Sequence, residues 1–341
     1  MRRKKYLAYS LTIFSFVSLA LAGCSTHQGI NKPLATDLPN GTTVRNDYAS
    51  TNNYDNHRAQ QHYFNANGGK IAYTDTGSGD VLVMLHGVPT SSWMYRKMLP
   101  NLQQHFRIIT IDFLGYGSSD KPISNTSNYT FESQAQYVNE LLSSLSVKNH
   151  SLLFHDMGGL VGWELLAQDV RKEAYIDNVV ILNTIISKHG FNHPNYQKGF
   201  YAKEMAKAYS NNLSSATILN MTFDHMGLTN TITLTENECR GYVVPMKEGS
   251  DEALYEFFTG FNDLLFEKLN ANIQSLKSFQ GESLILWGAE DDVLTTEQLP
   301  HLQKVLDIKN ENIHIFENNS HFLAEEIPDI LNMNIIDFMK E

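Results

Sequence analysis

The stretch FHDMGG sets a single carboxylate, Asp156, in front of two glycines. The apolar run SLLFHD before it reads as a buried strand, and GGLVGWELLAQD after it reads as a helix. The acid therefore sits on a sharp strand-to-helix turn, which exposes its tip at a sheet edge beside a helix N-terminus. The helix dipole favours an anion there. Gly158 and Gly159 keep the turn clear, while Phe154 fills an upstream position that is usually small. An aspartate at this place can also act simply as a helix cap.

Two further groups follow in a telling order. LWGAEDDVL puts Asp291 three residues beyond Gly288, directly after a buried strand, with Asp292 beside it as the alternative acid. ENNSHFLAEE puts His321 between the last core strand and the last helix, with Ser320 where a glycine often precedes such a histidine. A nucleophile, then an acid, then a histidine is one of the chain orders in which a catalytic triad occurs. The choice of nucleophile matters. A serine that displaces a leaving group from saturated carbon would end as an ether, which water cleaves poorly. A carboxylate ends as an ester, which a histidine-activated water can hydrolyse, and it is already ionised near neutral pH.

The elements around these residues explain how they would meet. KIAYTDTG alternates like a strand, and DVLVMLHG, FRIITIDF, HSLLFHD and IDNVVILNT are buried strand runs separated by helical stretches. That rhythm predicts an α/β fold with a doubly wound, mostly parallel sheet over residues 62–186. It breaks over 187–280, which reads as an inserted helical cap, and returns over 281–341 with ESLILWGAED and NIHIFEN. A cap over the carboxyl ends of the strands would cover the place where open α/β sheets bind ligands.

Taken together, HGVPTSSWMYRKMLP, DFLGYGSSDKP, YTFESQAQYVNELL, HDMGG, WGAEDD and SHFLAEEIP resemble the haloalkane dehalogenase and epoxide hydrolase branch of the α/β-hydrolase fold. The likeness runs from about His62 to the C-terminus and is weakest in the cap, where LTENECRGYVVP matches best. It implies Asp156 as nucleophile, His321 as base and Asp291 as the acid that orients it. The N–H groups of Val88 and Met157 would form the oxyanion hole, with His86 orienting their loop. No cofactor or metal is implied, and the partner would be a small, fairly apolar substrate.

The departures bear on the leaving group. Dehalogenases of this branch hold the halide with a Trp after the nucleophile and an Asn or a cap Trp. Here Met157 and Val88 occupy those positions, and Trp93, Trp163 and Trp287 all lie outside the presumed cap. Epoxide hydrolases use cap tyrosines, for which Tyr242, Tyr201 and Tyr196 are the candidates. Some relatives place the acid at the site of Asn183. Both C–halogen and C–O substrates stay open, as does a non-catalytic binding protein using the same pocket.

The N-terminus is a separate unit. MRRKK, an apolar stretch and LAGCS resemble a bacterial lipoprotein signal over 1–23, with lipid on Cys24, an envelope location and a polar tether over 24–61. Loss of Arg2, Arg3, Lys4 and Lys5 with that leader would take the net charge from −11 to −15. So acidic a chain argues against nucleic acid as a partner. The one remaining cysteine, Cys239, would have no disulfide partner.

Overall fold

The computed structural model describes residues 43–45, 53–122, 129–169, 175–192, 214–223, 233–259 and 263–340. Its strands are β1 (Thr43–Arg45), β2 (His62–Ala66), β3 (Gly69–Gly77), β4 (Val81–Leu85), β5 (Arg107–Ile111), β6 (His150–Asp156), β7 (Ile176–Thr184), β8 (Thr233–Thr235), β9 (Glu282–Gly288) and β10 (Ile313–Phe316). Eight of them form one sheet in the order β10-β9-β7-β6-β4-β5-β3-β2. The pairs from β10 to β5 are parallel, and β3 and β2 add antiparallel at one edge. This is the α/β-hydrolase architecture.

The strand alternation sorts side chains to two faces. Leu82, Met84, Leu153, Val180 and Leu284 join one core with Leu331, Ile335 and Phe338 of the helix Pro328–Lys340. Val83, Leu85, Leu152, Phe154 and Ile181 join the other, with Val138 and Leu141 of the helix Phe131–Ser144. Burial of each such aliphatic side chain is worth roughly 1.5–3 kcal/mol. The strands are covered on both faces, which is why their sequences are continuously apolar.

Two expectations need correction. The polar tether was expected to reach residue 61, but Tyr54–Gln60 is a helix capped by the Asn53 side chain. Its Tyr54, 1% exposed, packs edge-on against Trp93 at 5.4 Å. One buried aromatic anchors a segment whose average composition reads as unfolded. Within the expected cap, helices Ser215–Phe223, Glu236–Pro245, Asp251–Thr259 and Asp263–Ser275 do occur. The insertion also holds a short strand, because β8 pairs in parallel with β1 from the supposed tether. Among the described residues, no helix is long and apolar enough to cross a membrane. The leader and Cys24 lie outside those residues.

Candidate active site

β6 ends on Asp156, and the helix Gly158–Asp169 starts two residues later. The sharpness of the turn shows in the Asp156 φ of +52°, a left-handed value that costs a non-glycine residue of order 1–3 kcal/mol. The surroundings impose it. Thr184, opposite Asp156 on β7, donates its hydroxyl hydrogen to the Asp156 carbonyl. Any side chain at Gly159 would collide with that Thr184 hydroxyl, so the glycine is a packing requirement. Phe154 is accommodated by the helix itself. Its ring lies edge-on to Trp163 at 4.7 Å, against the bare backbone of Gly162.

The Asp156 carboxylate, only 4% exposed, is held by its Oδ2, which accepts from the Val88 N–H at 2.9 Å. The Met157 N–H also donates to this carboxylate. The expected oxyanion-hole donors therefore both reach the aspartate's own carboxylate. The other oxygen, Oδ1, lies 3.9 Å from His321 Nε2. Burial pushes the Asp156 pKa up, and His321 and the two N–H groups only partly offset this, so the net shift is upward.

His321 is oriented from behind. Its Nδ1 lies 2.8 Å from Asp291 Oδ2, while Asp291 Oδ1 accepts from the N–H groups of Val293 and Leu294. That arrangement places the Nδ1 proton towards the acid and leaves Nε2 for chemistry. Nε2 is buried with no hydrogen-bond partner. Burial lowers the His321 pKa, but Asp291 and then Asp156 outweigh it, and the net shift is upward. Asp292 is exposed, so Asp291 is the acid at the histidine. His155 pins the histidine's backbone, with its Nε2 2.9 Å from the His321 carbonyl.

Asn183 turns out to be part of this unit. Its amide donates to Asp291 Oδ2 at 2.9 Å and to the Gly288 carbonyl, and its oxygen accepts from the Gly288 N–H. The position where some relatives carry the acid here steadies the acid instead. His86 behaves as a loop clamp. Its Nε2 accepts from the Phe113 N–H at 3.0 Å, so Nδ1 carries the proton that reaches the Gly87 carbonyl.

The donor candidates for a leaving group fare differently. All three indole N–H groups are committed to backbone carbonyls: Trp93 to Glu238, Trp163 to Ile185 and Trp287 to Leu294. The Tyr242 hydroxyl donates to the buried Glu325 carboxylate, which also binds Arg96, so this tyrosine's proton is taken by a structural cluster. That corrects its assignment as a free cap donor. Tyr201 and Tyr196 lie outside the described residues. The Arg96–Glu325–Glu238 cluster did not stand out in the sequence, since its residues are far apart along the chain.

Comparison with known proteins agrees with this geometry. Residues 80–328 match the family model described as alpha/beta hydrolase fold, and the chain belongs to that family. It is 28% identical over 305 residues to a cis-3-alkyl-4-alkyloxetan-2-one decarboxylase of Shewanella oneidensis, covering 83% of this chain and 89% of that protein. It is 37% identical to a haloalkane dehalogenase of Psychrobacter cryohalolentis over 103 residues, 29% of this chain and 34% of the relative. An epoxide hydrolase from Bacillus megaterium superposes with a TM-score of 0.63 over 82% of this chain and all of its own, at 19% identity, a likeness of fold. The chain is thus an α/β hydrolase with haloalkane dehalogenase relatives and an epoxide hydrolase as a structural neighbour.

Proposed function

We propose that this hydrolase opens a carbon–oxygen bond at saturated carbon in a small apolar substrate, using Asp156 as nucleophile. The observation that carries the reading is the divided Asp156 carboxylate. One oxygen is held by Val88 N–H and the other faces His321 Nε2. In the first step Asp156 Oδ1 attacks carbon, and the C–O bond breaks with its electron pair going to oxygen. In the second, His321 takes a proton from water and the hydroxide adds to the ester carbon. The charge then develops on Oδ2, where the Val88 N–H group already points. The tetrahedral intermediate releases the ester oxygen as an alkoxide, which takes the proton back from His321, and the proton of the Asp156 carboxyl so formed passes to the oxygen freed in the first step. Esterification also removes the anion that helps hold the His321 pKa up, which favours the neutral imidazole that must accept the water's proton in the second step.

An oxygen leaving group suits the site better than a halide. Val88 and Met157 have no side-chain donor, and the indole N–H groups are already used. A halide leaving without such charge-assisted bonds would forgo roughly 1.5–3 kcal/mol for each. The oxetan-2-one of the Shewanella relative's name is also a strained ring with oxygen on saturated carbon. The test is to incubate a His321→Gln variant with an epoxide, an oxetan-2-one and a chloroalkane, then map adducts by mass spectrometry. The expected result is an ester on Asp156 from a cyclic C–O substrate and little from the chloroalkane. No adduct on Asp156 with any of them would end the nucleophile reading.

The leader sequence supports lipid attachment at Cys24 and a place in the cell envelope, with the outer membrane the favoured site. Incorporation of labelled palmitate should disappear in Cys24→Ala. Equal labelling of that variant would exclude this anchor.

A further inference from the structure

His155, the residue before the nucleophile, is buried, and the mechanism above does not use its side chain. In a regular strand its side chain and that of Asp156 would point to opposite faces. Here the pairing of β6 with β7 shifts register between these two residues, and Asp156 takes its left-handed φ. Both side chains consequently reach the same histidine. Asp156 Oδ1 faces His321 Nε2 at 3.9 Å, and His155 Nε2 lies 2.9 Å from the His321 carbonyl oxygen. The two imidazole rings have their centroids 4.3 Å apart and are tilted by 51°.

A carbonyl oxygen can only accept, so His155 carries its proton on Nε2, and its Nδ1 is a bare lone pair. That Nδ1 is buried with no hydrogen-bond partner. An apolar ring of similar size would fill this place without stranding a nitrogen, so the N–H is what the position retains. Burial, and then the neighbouring His321, push the His155 pKa well below the ordinary value. The ring is therefore neutral, and His321 can take up a proton without a second imidazolium in contact with it. Phe322 packs on both rings, 5.8 Å from His155 and 4.9 Å from His321. His321 is fixed at two points, its Nδ1 by Asp291 and its backbone by His155.

We propose that His155 is a positioning residue for the second half of the reaction, its N–H holding the His321 backbone so that Nε2 stays aimed at the Asp156 ester. The inference rests on the Asp156 ester reading above. The first step needs no base, so His155 has no part in it. In the second, His321 Nε2 takes a proton from water while the oxygen of that water bonds to the ester carbonyl carbon, and a displaced imidazole would lose this alignment. Because residues 155 and 156 are consecutive on one strand end, a single piece of backbone sets the spacing between nucleophile and base.

His155→Phe keeps a ring against His321 and removes the N–H, whereas His155→Gln keeps an amide N–H near the place of Nε2. The probe is whichever of the epoxide, the oxetan-2-one and the chloroalkane labels Asp156 in His321→Gln. Quenched single-turnover samples then separate the steps. Loss of the probe reports ester formation, and the level of ester on Asp156 reports its hydrolysis. In His155→Phe the ester should form at the wild-type rate but disappear about 10²-fold more slowly, as for a misplacement of about 1 Å, and so accumulate. His155→Gln should recover most of the hydrolysis rate. His155→Asn, whose amide is too short to reach the carbonyl, should behave like His155→Phe, and it carries the test if His155→Phe does not fold. Equal slowing of both steps would mean that His155 only supports the turn at Asp156. Hydrolysis at the wild-type rate without the N–H, or as slow in His155→Gln as in His155→Phe, would remove this hydrogen bond from the reaction. Each of these outcomes overturns the proposal and leaves Asp156 as nucleophile. No label on Asp156 from any of the probes would overturn the nucleophile reading and this inference together.

Discussion

Two buried charge clusters lie four residues apart along the segment from His321 to Glu325, and they are built on opposite lines. In the first, Asp156, Asp291 and His321 meet at the carboxyl ends of β6 and β9. In the second, Arg96 lies between Glu238 of the cap and Glu325 of the core, with Lys97 and the Tyr242 hydroxyl on the same carboxylate. The second is saturated at its central carboxylate, although Arg96 Nε has no partner: Glu325 Oε2 accepts from Arg96 Nη2 and Lys97 Nζ, both at 2.9 Å. The first keeps groups in reserve, with the His321 Nε2 unpartnered and Asp156 in a strained backbone conformation. The difference lies at the centre of each cluster: His321 Nε2 has no partner, whereas both oxygens of Glu325 are engaged.

The largest effect that would test this contrast is Asp291→Asn. The amide can still accept from the Val293 and Leu294 N–H groups through its oxygen, so the loop should keep its shape. It can no longer draw the Nδ1 proton, and His321 would adopt the wrong tautomer. Turnover should fall roughly 10⁴-fold, by analogy with the effect of that change in a serine protease triad. The first step needs no base, so the ester on Asp156 should still form and then accumulate. Quenched single-turnover samples analysed by mass spectrometry would reveal it. If ester formation slowed as much as turnover, the division of labour between the two carboxylates would be wrong.

The same contrast explains what could be read without a structure. Asp156, Asp291 and His321 were visible because each ends or closely follows a strand run, and strand ends obey positional rules that a sequence displays. Phe154 looked like a misfit only because the clearance offered by Gly162 is four residues beyond the turn. Asn183 looked like a lost acid, since its bond to Asp291 spans more than a hundred residues. Tyr242 was read from its place in a motif, yet its proton goes to Glu325, and nothing local couples positions 242 and 325. The helix Tyr54–Gln60 was hidden for a related reason. Average polarity describes a segment, whereas one tyrosine packed on Trp93 is enough to fold it.

A smaller but sharper effect is expected from the saturated cluster. Arg96→Met keeps much of the side chain's volume and leaves Glu325 buried with only Lys97 to balance it. Removing one member of a buried ion pair costs about 3–5 kcal/mol, measurable by urea unfolding at pH 7. The ester-forming step at Asp156 should survive in the folded fraction. The pH dependence supplies a second readout. Burial pushes the Glu325 pKa up, but Arg96 and Lys97 more than reverse this, to about 2 from an ordinary 4.5. A carboxylate lowered in this way stabilises the fold above pH 4.5, and that contribution drains away as pH falls towards 2. The variant lacks the cause of the lowering, so the gap between wild type and Arg96→Met should narrow on acidification through that window. A gap that stayed constant with pH would show that Arg96 stabilises through packing on Trp93, whose ring it covers at 4.6 Å, and not through its charge.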